Sequence, residues 1–494
     1  MNGRTEEPVP AWTKHTLKEL FVQTADVQIQ VHRMEQSASS EIMLIFAEGL
    51  CESAMISKVV LPQLHYLYQE EGFDRLRDGQ LFGSLPLIAF EEPVVTKELI
   101  VDSVFQGDLL MLIPETNALF KMNICHRPGR SPEESSTEIS IKGPKDGFVE
   151  DLPTNIALIR KRIRSNSLYN ETFILGTRTR TKVSLLYFHD IISPKVLNEV
   201  RTRLNKVDMD GMYSIAQLEE QLSDVKYTLF PLLDFSGRPD YAVSALLAGR
   251  FVVVVDGNPS VLIGPASFAL VLKSPEDIHF TFQYVSFARL IRLLSFWLSA
   301  LLPGFWVSLV AFHQDQLPFR LMATISVARI GLPFSAQMEM FVLLLLLEIF
   351  REAGVRLPSS IGQTLTVVGG LVIGDASIRS GLVSPSVVVV GAITAITGAT
   401  LVNQSLSTIV SIIRLIIFGI ANVLGMYGMI LSVILLLFYM SKLHSFGVPY
   451  MAPFSPLYVK DFIKAYLRLP WKKMVNRPKV LNTIDPDHQG DDSK

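Results

Sequence analysis

The last two fifths of the chain contain runs without a charged residue that are long enough to cross a bilayer core, which takes about 20 apolar residues in a helix. Leu293 to Phe312 is one, preceded by Arg289 and Arg292 and carrying Trp297 and Trp306. It predicts a membrane span. "RLPSSIGQTLTVVGGLVIGDA", Arg356 to Ala376, is a second apolar stretch, rich in glycine and threonine and ending at an aspartate. Gly381 to Ile413 and Leu415 to Ser441 follow, separated only by Arg414. Each predicts one tilted span, and the latter could break into a pair around "NVLGMYG". By contrast, "MEMFVLLLLLEIFREAG" holds only eight uncharged apolar residues between Glu339 and Glu348. That is too few for a lipid-facing span, so it predicts an interfacial helix or one whose acidic face is shielded. Four to six spans result.

The tail "YVKDFIKAYLRLPWKKMVNRPK" is rich in lysine and arginine, which predicts a cytoplasmic end. With the soluble N-terminal region on the same side, an even number of spans is favoured. That region opens on "MNGRTEEPVPAWTKHTLKEL", charged and proline-bearing without the apolar core of a secretory signal, so no cleaved signal is expected. Across 494 residues the net charge is -2, which gives no bulk attraction to nucleic acid. Cys51 and Cys125 are the two cysteines, with neither metal-site spacing nor a disulfide framework, as suits a reducing cytoplasm.

Before the apolar region the periodicity describes two soluble units. In residues 1–126 an amphipathic helical pattern, "SKVVLPQLHYLYQEEGFDRL", mixes with strand-like runs such as "DLLMLIP". Residues 127–138 lie in the polar, proline-bearing stretch "HRPGRSPEESSTE", which reads as a linker. Residues 139–284 alternate strand and helix: "TKVSLLYFHD" strand, "SPKVLNEVRTRLNKV" helix, "YTLFPLL" strand, "RPDYAVSALLAG" helix, and "RFVVVVDGNPSVLIGP" a strand pair. Asp256-Gly257 in the last supplies the residue types of a tight hairpin turn. The expected fold is therefore a multi-domain membrane protein: two α/β-type soluble N-terminal subdomains, an α-helical polytopic membrane domain over 285–444, and a basic tail over 445–494.

Charged and polar side chains inside the apolar region are the candidate functional residues. A charge at the bilayer centre costs about 2.5 to 3.5 kcal/mol even on lenient scales. Glu339, Glu348, Arg351, Asp375, Arg379 and Arg414 are therefore expected to face protein, water or headgroups, the three arginines being equally compatible with snorkelling at span ends. Asp375 and Arg379 stand four apart, the spacing of a local helical ion pair. Glu339 and Glu348 are nine apart and cannot share one helix face, so only one of them is expected to line a common pathway. Gln363, Thr364, Thr366, Thr394, Thr397, Asn403 and Gln404 could bond between helices or solvate an ion, and Gly370 and Gly374 form a small-xxx-small packing pair.

Neither G-x-x-x-x-G-K-[ST] nor G-x-G-x-x-G occurs, nor HExxH, GxSxG or a His/Cys cluster. No enzyme, cofactor or metal site is expected. The chain does resemble the A subunits of the GerA family of bacterial spore germination receptors. The blocks that carry the resemblance are "GPKDGFVEDLPTNIALIRKRI" (Gly143 to Ile163), "AGRFVVVVDGNPSVLIGP" (Ala248 to Pro265), "SPEDIHF" (Ser274 to Phe280), the Arg356 to Ala376 stretch and "SFGVPYMAPFSP" (Ser445 to Pro456). They lie between about residues 140 and 457, and the first 125 residues match less.

The resemblance implies an integral protein of the spore inner membrane, with soluble domain and tail on the cytoplasmic side. It implies work beside a transporter-like B subunit and a lipoprotein C subunit, or a small membrane partner. It further implies a homo-oligomeric ring that conducts cations; the nutrient is thought to bind the B subunit, so no ligand site is carried over. In a ring, each copy need supply only one polar helix face. Asp375 and Arg379 in "GDASIRSG" depart from the usual family pattern. Together with the divergent N-terminal third they point to the stage V sporulation protein AF branch, which resembles an auxiliary channel amplifying germination. The alternatives are an A subunit of a nutrient receptor and a non-conducting signalling scaffold.

Overall fold

A computed structural model describes residues 12–34, 41–71, 87–90, 95–114, 118–125, 138, 140–356 and 375–488. The strand-forming residues build two five-stranded antiparallel sheets. The first contains β1 (Val27–Arg33), β2 (Glu41–Ala47), β3 (Ile88–Ala89), β4 (Asp108–Ile113) and β5 (Ala118–Asn123), in the order β1-β2-β4-β5-β3. The second contains β6 (Leu168–Leu175), β7 (Thr181–Phe188), β8 (Asp234–Ser236), β9 (Phe251–Val255) and β10 (Val261–Gly264), in the order β6-β7-β9-β10-β8. The two orders are the same path drawn twice: a hairpin, a helical excursion, a short edge strand, a helix, and a second hairpin laid against the first. In both units the helix after the edge strand leads into the next strand through a left-handed glycine, Gly107 at φ 96° and Gly249 at φ 91°, because the reversal needs a conformation that costs a side chain about 1–2 kcal/mol.

Each sheet is buried on both faces. In β2 and β4 alternate residues feed two cores. Ile42, Leu44 and Phe46 meet Val60 and Leu64, while Met43 and Ile45 meet Leu17 of α1 (Lys14–Leu20). Leu64 lies on α2 (Leu61–Glu71), and the Met43 face also packs Ile100, Val104 and Phe105 of α3 (Lys97–Gln106). Arg160, on α4 (Leu152–Arg160), joins the two units: its guanidinium bonds Asp26 at 2.9 Å and lies over the Phe105 ring at 4.1 Å.

In the second sheet Phe251, Val253 and Val255 pack on Val196 and Val200 of α5 (Pro194–Lys206) and Leu218 of α6 (Ile215–Leu222). Val252 and Val254 face the other way, toward Leu246 of α7 (Pro239–Leu247), into a core that continues through Phe268 to Phe296 and Ala300. One face of this sheet is thus continuous with the interior of the helical region. Asp256 to Ser260 connects β9 to β10, with Asp256-Gly257 at its start and Gly257 at φ 79°. The Asp256 carboxylate reaches beyond its own turn to accept from the Leu152 amide at 3.3 Å.

"YTLFPLL" was expected as a strand, but only Asp234–Ser236 pairs. Pro231 lacks an N–H for a ladder. The neighbouring backbone is taken by the far end of the chain: the Leu229 amide donates to the Tyr439 hydroxyl at 2.9 Å, and the Leu232 carbonyl accepts from Ser445 Oγ at 2.6 Å.

The helical region comprises α8 (Phe282–Phe312), α9 (Phe319–Ala328), α10 (Ala336–Arg356), α11 (Pro385–Ala399) and α12 (Gln404–Lys442), followed by α13 (Val459–Tyr466) in the tail. Of these, α8 and α12 are long and apolar enough to cross a membrane, and α9 and α11 are shorter apolar helices. The expected division at Arg414 is corrected: the chain breaks at 400–403, where Asn403 caps the start of α12, and the helix runs on through Arg414. The charge does not interrupt it because a carboxylate on α10 pairs with it. The break in "NVLGMYG" falls at Gly425, φ 60° and ψ -142°. A methyl group on Gly428 would lie 2.8 Å from the Ile420 carbonyl, eight residues back, where a straight helix would separate them by roughly 12 Å. α12 is therefore a helical hairpin, with arms 404–424 and 426–442 that are roughly 31 and 26 Å long at 1.5 Å per residue.

Candidate functional site

The hairpin brings polar groups together midway along its first arm. Ser407, Ser411 and Arg414 follow at i, i+4 and i+7, which puts them on one helix face. Opposite them α10 presents Glu348 and Arg351, one turn apart. Arg414 Nη2 bonds the Glu348 carboxylate and donates to Ser411 Oγ at 2.8 Å. Arg351 bonds the other Glu348 oxygen at 2.8 Å, and donates to Ser411 Oγ at 2.7 Å and to the Ser407 carbonyl at 3.3 Å. From α8, Ser299 accepts from Arg414 Nη1 at 3.4 Å. Gly398 of α11 closes this side, since a methyl group there would stand 3.1 Å from Ser299 Oγ. Arg414 is 6% exposed and its Nε has no partner among the described residues.

Four helices thus converge on one acid between two arginines. Removing an ion from water costs several kcal/mol, offset here only because carboxylate, serine hydroxyls and carbonyl all accept from the guanidinium groups. Both Glu348 oxygens are engaged, so the cluster locks α10 to the first arm of α12 within one chain.

Glu339 lies elsewhere, nine residues and about 14 Å along α10. Fully buried, it accepts from the Ser384 amide at 2.9 Å and stands 3.4 Å from Arg329. Ser384 is the N-cap of α11, so the carboxylate meets the positive end of that helix. Asp375 and Arg379 pair at 2.9 Å on an exposed surface, worth at most about 1 kcal/mol. Thr394 and Thr397 return their hydroxyls to carbonyls one turn back, and Gln404 is exposed. Gln363, Thr364, Thr366, Gly370 and Gly374 lie outside the described residues.

Asn403, which the sequence leaves open to bonding between helices or to solvating an ion, ties the helical region to the second sheet. Its side-chain oxygen caps the Leu406 amide at 3.0 Å while its Nδ2 donates to Asp234 Oδ1 at 2.8 Å. Asp234 also accepts from the Tyr241 hydroxyl at 2.9 Å, and burial pushes its carboxyl up to about 6. The second arm returns to the same place through Tyr439, Ser445 and the short ribbon β11 (His444–Ser445) and β12 (Val448–Pro449). Both ends of the hairpin are therefore bonded to segment 229–236. Asp234, Ser299 and Ser411 were not singled out from the sequence. The i, i+4, i+7 spacing of Ser407, Ser411 and Arg414 was the available signal for one of them; nothing local marks Asp234.

The sequence model of the Bacillus/Clostridium GerA spore germination protein family matches residues 15–480. Spore germination protein XA of Bacillus anthracis is 39% identical over 476 residues, 96% of each chain. Spore germination protein KA of Bacillus subtilis (strain 168) is 34% identical over 95% of this chain and 86% of its own length. Among solved structures, the N-terminal domain of the A subunit of the Bacillus megaterium spore germinant receptor GerK3 is similar over 54% of this chain and 99% of its own, at 25% identity and a TM-score of 0.41. A family match across nearly the whole length, with identities above 30% over the same span, means that this chain belongs to the GerA family of spore germination proteins.

Proposed function

We propose that the chain works in spore germination as an A-type subunit of a receptor complex in the spore inner membrane, beside B and C subunits, and that several copies form a cation-conducting pathway. The observation that carries this reading is the attachment of both ends of the α12 hairpin to segment 229–236. Displacing that segment moves two membrane-length arms together, the kind of link a sensing complex needs between a soluble domain and a pathway. Outward-facing apolar side chains such as Phe341, Leu345 and Ile349 on α10, or Ile412, Ile416 and Val423 on α12, suit lipid or a second copy.

Since the Glu348 cluster is closed within one chain, the pathway runs between copies, and the cluster holds the bundle that lines it. The pathway is tested by electrical recording of the purified protein in planar bilayers. Monovalent cation currents are expected, altered in conductance or selectivity by Glu348→Gln. A complex that assembles yet passes no current would establish the scaffold reading instead. Crosslinking in spore membranes is expected to give a closed homo-oligomer, and recovery of monomers alone counts against a ring.

The auxiliary, amplifying role is the second reading and rests on the Asp375–Arg379 departure. Neighbouring genes for B and C subunits favour the receptor, and stage V sporulation neighbours the paralogue.

A further inference from the structure

Where the second sheet, the start of α8 and the tail meet, they enclose a cavity of about 200 Å³. One water needs roughly 10–15 Å³ of such space, so a multi-atom ligand fits. Among the described residues the walls are strongly cationic: Arg250, Lys273, Arg289, Lys464, Arg468 and Arg477 against two carboxylates, Asp277 and Asp461. Both acids are already used. Asp277 bonds Arg289 at 2.8 Å and Arg292 at 2.7 Å, and Asp461 accepts from the Lys479 amide at 2.8 Å. Arg477 pairs with Asp485 at 2.8 Å. Arg468 donates only to carbonyls, those of Asp277, Phe280 and Ile278.

Among the described residues four of these cations have no paired acid; Lys464 and Arg468 bond backbone carbonyls instead, which leaves Arg250 and Lys273. Arg250 is 7% exposed, forms no ion pair among the described residues, feels the Asp234 charge only at longer range, and its Nη1 is buried without a hydrogen-bond partner among those residues. Lys273 likewise has no carboxylate within ion-pair reach among the described residues. Burying a charge without a counter-charge is costly, and a ligand that supplies that charge offsets the cost. Both groups are shifted toward neutrality: burial brings Lys273 down to about 7, with Arg289 and Arg250 adding like-charge repulsion, and brings Arg250 down to about 10 against the opposing pull of Tyr241 and Asp234.

We propose that this cavity binds a phosphate-type oxyanion between Arg250 and Lys273, either as a free anion or as the headgroup of an anionic lipid. A headgroup has a route in, because the tail beside the cavity exposes Val459 and Ile463 of α13 and Trp471, residue types that suit a membrane interface. An oxyanion held here would bridge the soluble sheet, through Arg250, to the segment that leads into α8.

The test uses the full chain in nanodiscs and needs no germination or conductance readout, so its outcome is separate from that of the proposed function. In phosphatidylcholine discs, inorganic phosphate is titrated against thermal unfolding at constant ionic strength. In parallel, discs containing phosphatidylglycerol are compared with phosphatidylcholine alone. Native mass spectrometry counts retained lipid. A free-anion site raises Tm with phosphate in phosphatidylcholine; a headgroup site raises it only with phosphatidylglycerol, with bound lipid retained. Either effect must fall at least tenfold in apparent affinity in Lys273→Gln and in Arg250→Gln, and persist in Lys195→Gln on the exposed side of α5. Should Arg250→Gln fail to fold, Lys273→Gln alone decides. No response to either anion, or a response that Lys273→Gln leaves unchanged, overturns the proposal.

Discussion

Asn403 holds the first turn of the α12 hairpin and the Asp234 carboxylate at once, 3.0 Å to the Leu406 amide and 2.8 Å to Asp234. One side chain therefore starts a membrane-length arm and fastens it to the soluble sheet. Asn403→Ala removes a helix cap, worth about 1 kcal/mol, and a donor to a buried carboxylate. Faster amide exchange over 406–408 and a lower Tm are expected in detergent. Asn403→Asp keeps the cap but sets a second carboxylate against Asp234, so its loss of stability should be largest at pH 8 and shrink below pH 6, where one proton can be shared. A pH-independent effect would show that Asp234 is not the partner that matters.

Arg414 is more deeply enclosed than Arg351, whose side chain is 37% exposed, although both bond Glu348. Taking away one partner of a buried pair costs roughly 3–5 kcal/mol, mainly by stranding the other charge. Arg414→Gln should therefore lower thermal stability more than Arg351→Gln. A double-mutant cycle of Arg414→Gln with Glu348→Gln should give a coupling above about 1 kcal/mol. Additive effects would dissolve the lock.

The hairpin turn depends on Gly425. Its φ of 60° with ψ of -142° is a conformation essentially confined to glycine, and a methyl group would meet the Phe312 ring at 3.0 to 3.3 Å. Gly425→Ala is expected to cost about 1–3 kcal/mol and to expose the tip near Phe312 to protease. Gly419→Ala, on an open helix surface, should leave stability within about 0.5 kcal/mol.

Glu138 accepts from Ser236 Oγ at 2.6 Å, and burial pushes its carboxyl up to about 7. Its protonated form is favoured by folding, so its contribution is complete below about pH 4.5 and is lost as pH rises through 7. Glu138→Gln removes this loss: the variant should melt above the wild type at pH 7.5 and match it near pH 5. At the acid end the arginine-paired Asp240, Glu276 and Asp277 have carboxyls held below the usual range, so their contribution disappears only as pH falls below about 4.

Periodicity and composition were enough to read the second soluble unit as alternating strands and helices, to start the β9–β10 connection at Asp256-Gly257, to mark the break in "NVLGMYG", and to require that Glu339, Glu348 and Arg414 be shielded if buried. These are local matters: a two- or 3.6-residue repeat, a turn residue's allowed φ, or the cost of an unpaired charge is set by the residues themselves. The resemblance to GerA A subunits was likewise legible in contiguous blocks. Tertiary structure alone decided which partner each charge took. Arg414 meets Glu348, 66 positions away, and Asn403 meets Asp234, 169 positions away. It also decided that two differently spelled stretches fold into sheets of one topology, that helix continues through Arg414, and that "YTLFPLL" gives its backbone to Tyr439 and Ser445 rather than to a strand. Each choice is made among partners distant in sequence, by the free energy of the packed chain, and no local pattern encodes it.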